Sequence, residues 1–114
     1  MSTARRFAAA DVRDAAPLFF ALGDETRLRL FARLSAGEAA TIAELSARAS
    51  VTRQAVTKHL AVLEGAGLVR ARKQDGRKLW HVEAQRLLEA RAYLDRISRQ
   101  WDDALDRLKR FVES

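Results

Sequence analysis

The sequence predicts a mainly α fold with one small two-stranded β element, and three observations carry that prediction. Apolar residues recur at helical spacing in short segments up to Gly67. An Asp75-Gly76 pair then sits between two short strand-like runs, a strong hairpin signal. From Glu83 onward there is no Gly or Pro, and a heptad-spaced apolar series predicts one long helix.

The elements follow in order. Ala15, Leu18, Phe19 and Leu22 form the stripe of a first helix, with Asp14 expected as its cap, Pro17 in its first turn and Gly23 as its end. Asp24 caps a second helix to about Ser35, with Leu28, Leu30, Phe31 and Leu34 apolar and Arg27, Arg29 and Arg33 polar. Thr41-Ile42-Ala43-Glu44 is a capping box that opens a short third helix packing on Ile42 and Leu45. Arg48-Ala49-Ser50 makes the turn, and Thr52 caps a fourth helix, with Val51 and Val56 spaced as a hydrophobic staple.

Gly67 stands where a left-handed residue closes that helix, and Leu68 can reach back to Leu63 in a Schellman arrangement. With a two-residue turn at Asp75-Gly76, Ala71 faces Trp80 and Val69 faces Val82 on one inner face. The same register sets Lys73 opposite Lys78 and Arg70 opposite His81. The terminal helix carries Leu87, Ala90, Leu94, Ile97, Trp101, Ala104, Leu108 and Phe111 as a seam that Leu105 and Val112 widen. Asp95–Arg99, Asp103–Arg107 and Asp106–Arg110 are expected as i,i+4 ion pairs on its outer side.

Two short helices, a tight turn and a capped second helix followed by a hairpin make a winged helix-turn-helix. The expected layout is one domain over residues 1–114: an N-terminal arm (1–13), a core (14–82) and a dimerisation helix (83–114).

Charge supports a nucleic-acid partner. Residues 51–82 hold seven bases (Arg53, Lys58, Arg70, Arg72, Lys73, Arg77, Lys78) against two acids (Glu64, Asp75), so +5 of the chain's +6 lies there. With Val56 pointing inward, Leu60 and Leu63 fall beside it, and Gln54 and Lys58 point away between Thr57 and Ala61. Arg53, Gln54, Thr57 and Lys58 are therefore the expected base readers. Thr52, His59, Arg70, Arg72, Lys73, Arg77 and Lys78 are the expected phosphate contacts, because like charges crowded at a hairpin tip favour a polyanion. Trp80 reads as core. Trp101 reads as seam, with the option of lining an effector pocket.

Other classes are excluded or disfavoured. The chain has no cysteine, which removes disulfides and thiolate metal ligands, and no apolar run is long enough to span a membrane. Arg5-Arg6 resembles an export signal only faintly, since Asp11, Arg13 and Asp14 interrupt it; a cytoplasmic location is expected. No nucleophile elbow, phosphate loop or metal-ligand cluster is present, so neither an enzyme nor a cofactor is expected.

Leu22-Gly23-Asp24-Glu25-Thr26-Arg27-Leu28-Arg29-Leu30, the run Val56-Thr57-Lys58-His59-Leu60-Ala61-Val62-Leu63-Glu64-Gly65-Ala66-Gly67-Leu68-Val69, and Asp75-Gly76-Arg77 resemble the ArsR/SmtB family of bacterial winged-helix repressors over about residues 15–95. The resemblance implies a homodimeric winged helix-turn-helix dimerising through its first and last helices, a pseudo-palindromic double-stranded operator near the protein's own promoter, and repression relieved by a signal such as a small-molecule effector. Leu18, Phe19, Leu22, Leu87, Leu94, Ile97, Trp101, Leu105, Leu108 and Phe111 are the expected dimer contacts. Metal sensors of the family carry paired cysteines where this chain has Ile42-Ala43-Glu44-Leu45-Ser46, and its terminal helix has no histidine for a zinc-type site. Metal sensing is therefore not expected. Arg99-Gln100-Trp101-Asp102 with Leu105-Asp106-Arg107-Leu108 is similar to a cysteine-free branch often encoded beside small START-like ligand-binding proteins. The alternative is a protein–protein module that docks a different chain through the terminal amphipathic helix.

Overall fold

The computed structural model describes residues 9–113. Five helices and one hairpin follow in order: α1 (Ala9–Leu22), α2 (Glu25–Ala36), α3 (Ile42–Ala49), α4 (Arg53–Gly65), β1 (Val69–Gln74), β2 (Arg77–Val82) and α5 (Ala84–Glu113).

Helix α1 corrects one expectation. It starts by Ala9 rather than at an Asp14 cap, and Pro17 lies well inside it. Residues 9–13 of the expected arm are thus helical, while residues 1–8 lie outside the described residues. Pro17 tolerates this interior site because it and Arg13 are both exposed, so water can take the Arg13 carbonyl that the ring leaves without an N–H.

The remaining boundaries follow local chemistry. The Asp24 carboxylate accepts from the Arg27 amide at 3.0 Å and caps α2. At α3, Thr41 Oγ1 accepts from the Glu44 amide at 3.2 Å while Glu44 Oε1 accepts from the Thr41 amide at 2.9 Å, closing the capping box. Helix α3 runs to Ala49, so the turn tightens onto left-handed Ser50, with φ of 57°. Helix α4 ends in a Schellman pair: the Leu68 amide donates to the Leu63 carbonyl at 3.0 Å and the Gly67 amide to that of Glu64 at 2.9 Å. Gly67 has φ of +79°, and a Cβ there would stand 3.1 Å from the Arg86 side chain.

The core sits where α1, α2, α3, α4 and the hairpin meet. Leu18, Leu30, Phe31, Leu34, Leu45, Val56, Leu60, Leu63, Leu68, Val69 and Trp80 are its buried members. Leu28 lies on the edge of α2 and is half exposed. Ala40 pairs with Trp80 through a 3.0 Å and a 2.8 Å backbone bond, a single bridge that stitches the loop before α3 to β2.

Helix α5 leaves this core. Its first turns are fastened by Arg86, whose Nε donates to the Ala66 carbonyl at 3.2 Å and whose guanidinium reaches Asp14 and Glu89. The Tyr93 ring packs on Phe19 with centroids 5.7 Å apart. Beyond Ile97 the helix is exposed. The radius of gyration is accordingly 18.1 Å, against roughly 13 Å for a compact chain of this length. The ion pairs Asp95–Arg99, Asp103–Arg107 and Asp106–Arg110 are not formed. Such solvated pairs are worth only about 0.3–0.5 kcal/mol, too little to hold two long side chains in one geometry.

Candidate nucleic-acid interface

The exposed polar edge of α4 is set by the cap and core contacts of that helix. Thr52 Oγ1 accepts from the Ala55 amide at 3.0 Å, which starts the helix and leaves the hydroxyl proton free to donate outward. Val51 packs against the core, and the Ser46 hydroxyl donates to the Val51 carbonyl, fixing the turn between α3 and α4. Val56, Leu60 and Leu63, at i, i+4 and i+7, are fully buried, so the opposite edge must face solvent. Arg53, Gln54, Thr57, Lys58 and Ala61 are all exposed on it.

Two side chains differ from the simplest expectation. The Thr57 hydroxyl donates to the Arg53 carbonyl at 2.8 Å, so it retains only acceptor capacity toward a base. His59 is half-buried, with Nδ1 3.9 Å from the Asp24 carboxylate at the start of α2. The Arg27 amide bond holds the Asp24 carboxyl below its ordinary range, with His59 a lesser contributor. His59 thus sits between α4 and α2 as well as near the exposed edge.

The hairpin has the expected register: Val69↔Val82, Arg70↔His81, Ala71↔Trp80 and Lys73↔Lys78. Asp75 at φ 52° and Gly76 at φ 76° both adopt the left-handed conformation of a type I′ turn. Arg72, Lys73, Arg77 and Lys78 are exposed around this tip. Tertiary contacts temper the crowding, since the Lys78 ammonium lies 5.2 Å from the Trp80 ring centre. Arg77 reaches Glu44 at 3.6 Å, and Arg70 pairs with Glu83 at 2.8 Å while remaining exposed. The Thr41 amide and hydroxyl, with a smaller contribution from Arg77, hold the Glu44 carboxyl below its ordinary range. Among the described residues Arg72 and Lys73 form no ion pair, unlike Arg70 and Arg77.

The expected dimer contacts divide. Leu94, Trp101, Leu105, Leu108 and Phe111 are exposed on α5 and Ile97 is half-buried, so an unpartnered apolar stripe exists. Leu18 contradicts its assignment: at 2% exposure inside its own core it has no surface to offer a partner. Leu22 and Leu87 also pack on that core, and Phe19 is half-covered by Tyr93. Phe20, 72% exposed on the outer face of α1 with Arg27 stacked over it, was hidden from the periodicity because the five consecutive positions 18–22 of α1 are apolar. Trp101 borders an open apolar groove of about 580 Å³ with Phe19, Tyr93 and Ile97. Among the described residues no group of three or more His, Cys, Asp or Glu could hold a metal ion.

A capped second helix with a free polar edge, rigidly joined to a basic hairpin, defines a winged helix-turn-helix of the DNA-reading class. A family described as "Helix-turn-helix domain" matches residues 22–72. The HTH-type transcriptional regulator Rv2034 of Mycobacterium tuberculosis is 35% identical over 94 residues, covering 82% of this chain and 84% of that protein. The uncharacterized HTH-type transcriptional regulator YuzN of Bacillus subtilis is 44% identical over 63 residues, 50% of this chain and 68% of the relative. An ArsR-like transcriptional regulator from Rhodococcus sp. RHA1 superposes with a TM-score of 0.76 at 30% identity, covering 90% of this chain and 96% of that one. The chain belongs to the ArsR family of winged-helix regulators and is a DNA-binding transcriptional regulator.

Proposed function

We propose that the protein is a homodimeric, sequence-specific repressor of double-stranded operators, including one near its own promoter. The observation that supports this best is the pairing of an uncluttered polar edge on α4 with free cations on the wing. Gln54 suits bidentate bonding to adenine, Arg53 and Lys58 suit guanine acceptors, and Thr57 suits a base amino group. The Thr52 hydroxyl, Arg72 and Lys73 suit phosphate, with Arg70, Arg77, Lys78 and His59 as more constrained neighbours. Two copies joined along the exposed stripe of α5 would set two reading edges on half-sites about one turn, roughly 34 Å, apart. Docking of a foreign chain on α5 is the less favoured reading.

The family carries its activity in DNA binding rather than catalysis, and among the described residues no helix is long and apolar enough to cross a membrane. A cytoplasmic location follows as part of the same proposal. Gel-shift titrations on the DNA upstream of the gene, at several salt concentrations, test it. Specific dissociation constants of about 10⁻⁸ to 10⁻¹¹ M with a steep salt slope are expected. Equal affinity for scrambled DNA would overturn sequence-specific reading.

A further inference from the structure

A cavity of about 490 Å³ between α2 and α3 lies apart from the surfaces used above. Leu30, Leu45 and Ala49 give it an apolar lining, and three arginines stand around it: Arg29, Arg33 and Arg48. Arg33 is half-buried, and its Nη1 is buried with no hydrogen-bond partner. Guanidinium groups are donor-only, so a buried one without an acceptor holds free energy that an incoming oxyanion would recover. Arg48 has no ion-pair partner among the described residues and is exposed at the mouth. The one acid in the lining, Glu25, is already engaged by Arg29 one turn along the helix. Glu44, the acid of α3, is taken by its own capping box and by Arg77, and Arg33 acts on it only as the smallest contributor, with no ion pair formed between the two. Arg33 and Arg48 are therefore surplus positive charge beside a partly apolar cavity of ligand size.

We propose that this cavity binds a small oxyanion-bearing ligand, a carboxylate or phosphate monoester on a compact apolar body, clasped between Arg33 and Arg48. The apolar part lies against half-buried Ala49, over Leu30 and Leu45, which are nearly wholly buried beneath it. Because the two arginines come from different helices, an occupant bridges α2 to α3 and biases the angle at which α3 presents the turn into α4. The site does not depend on how the protein reads DNA, and its test is made on the DNA-free chain.

The test is an amide chemical-shift titration of the full-length protein with phenyl phosphate and with benzoate, at constant ionic strength. Saturable shifts centred on residues 25–33 and 45–50 are expected with at least one probe. Arg33→Gln and Arg48→Gln should each weaken that binding about tenfold or more, since each removes a charge-assisted donor pair. Arg91→Gln, on α5, should leave it unchanged. Arg48 is exposed, so its variant remains informative if Arg33→Gln fails to fold. Non-saturating shifts spread over the arginines, or wild-type binding by a folded Arg48→Gln, overturn the proposal. A duplex titration separates the remaining source of oxyanions. If the variants weaken duplex binding and flatten its salt slope while neither probe saturates, the arginines serve a DNA phosphate and the small-ligand site is refuted.

Discussion

From α1 to β2 the chain buries Val56, Leu60, Leu63, Leu68 and Val69 completely, whereas over the thirty residues of α5 only Ala90 is buried. Both regions are rich in apolar residues at helical spacing, so periodicity alone does not distinguish them. The head closes its stripes on one another, because five elements converge on one core. Helix α5 lays the start of its stripe, Leu87 and Ala90, on that core and carries the rest past it, which leaves Trp101, Leu105, Leu108 and Phe111 in water. A stripe of that kind calls for a second surface, while the head needs none.

The largest effect should come from breaking the head. Leu60→Ala opens a cavity in a fully buried site and should cost about 2–5 kcal/mol, read as a lower thermal midpoint. The next effect should leave the head folded. Trp101→Asp combined with Leu105→Asp should convert a dimer to a monomer in light scattering. It should also lower operator affinity about 100-fold or more by uncoupling the two heads. A dimer surviving that double change would show that α5 is not the seam.

Within the head, Gln54→Ala should cost about 1–3 kcal/mol on the cognate site and relax its base preference. Lys73→Ala should weaken all sequences alike and reduce the salt slope by about one. Identical behaviour of the two variants would erase the division between reading helix and gripping wing.

The smallest effect concerns the caps. Asp24 and Glu44 have carboxyls below their ordinary values of 3.8 and 4.5, so their ionised forms favour the folded head. That contribution is complete above the ordinary values and is lost as the pH falls through the lowered ones. Melting curves from about pH 6 to pH 3 should show the decline, and Thr41→Ala should flatten it in part, because it removes the hydroxyl bond to Glu44 while the stronger bond from the residue-41 amide stays. Acid sensitivity unaltered by Thr41→Ala would mean the Thr41 hydroxyl is not part of its source.

Much of the head was legible because its signals are local. The Thr41–Glu44 box, the Thr52 cap and the Gly67 closure each involve residues within five positions, and their bonds formed where the spacing placed them. The hairpin register followed from one two-residue turn. Legibility failed where competing faces were equally apolar. In α1 the run Leu18-Phe19-Phe20-Ala21-Leu22 offers every direction, and only packing on α2, α4 and α5 turned Leu18 inward and Phe20 outward. Pro17 misled because a proline is far commoner at a helix start than inside one.

By itself, then, the sequence determined the caps, the turn, the hairpin register and the concentration of charge between Val51 and Val82, since each depends on neighbours along the chain. Tertiary structure decided which cations stay free. Arg77 meets Glu44, Lys78 folds over Trp80, Arg86 fastens α5 to the end of α4, and half-buried Arg33 keeps a buried Nη1 without an acceptor beside a cavity. The lasting difference is sequence separation. Hydrogen bonds within a turn are set by residue type and spacing, but the partner of a long, flexible cation is whichever acid or ring the packing of distant elements brings within reach.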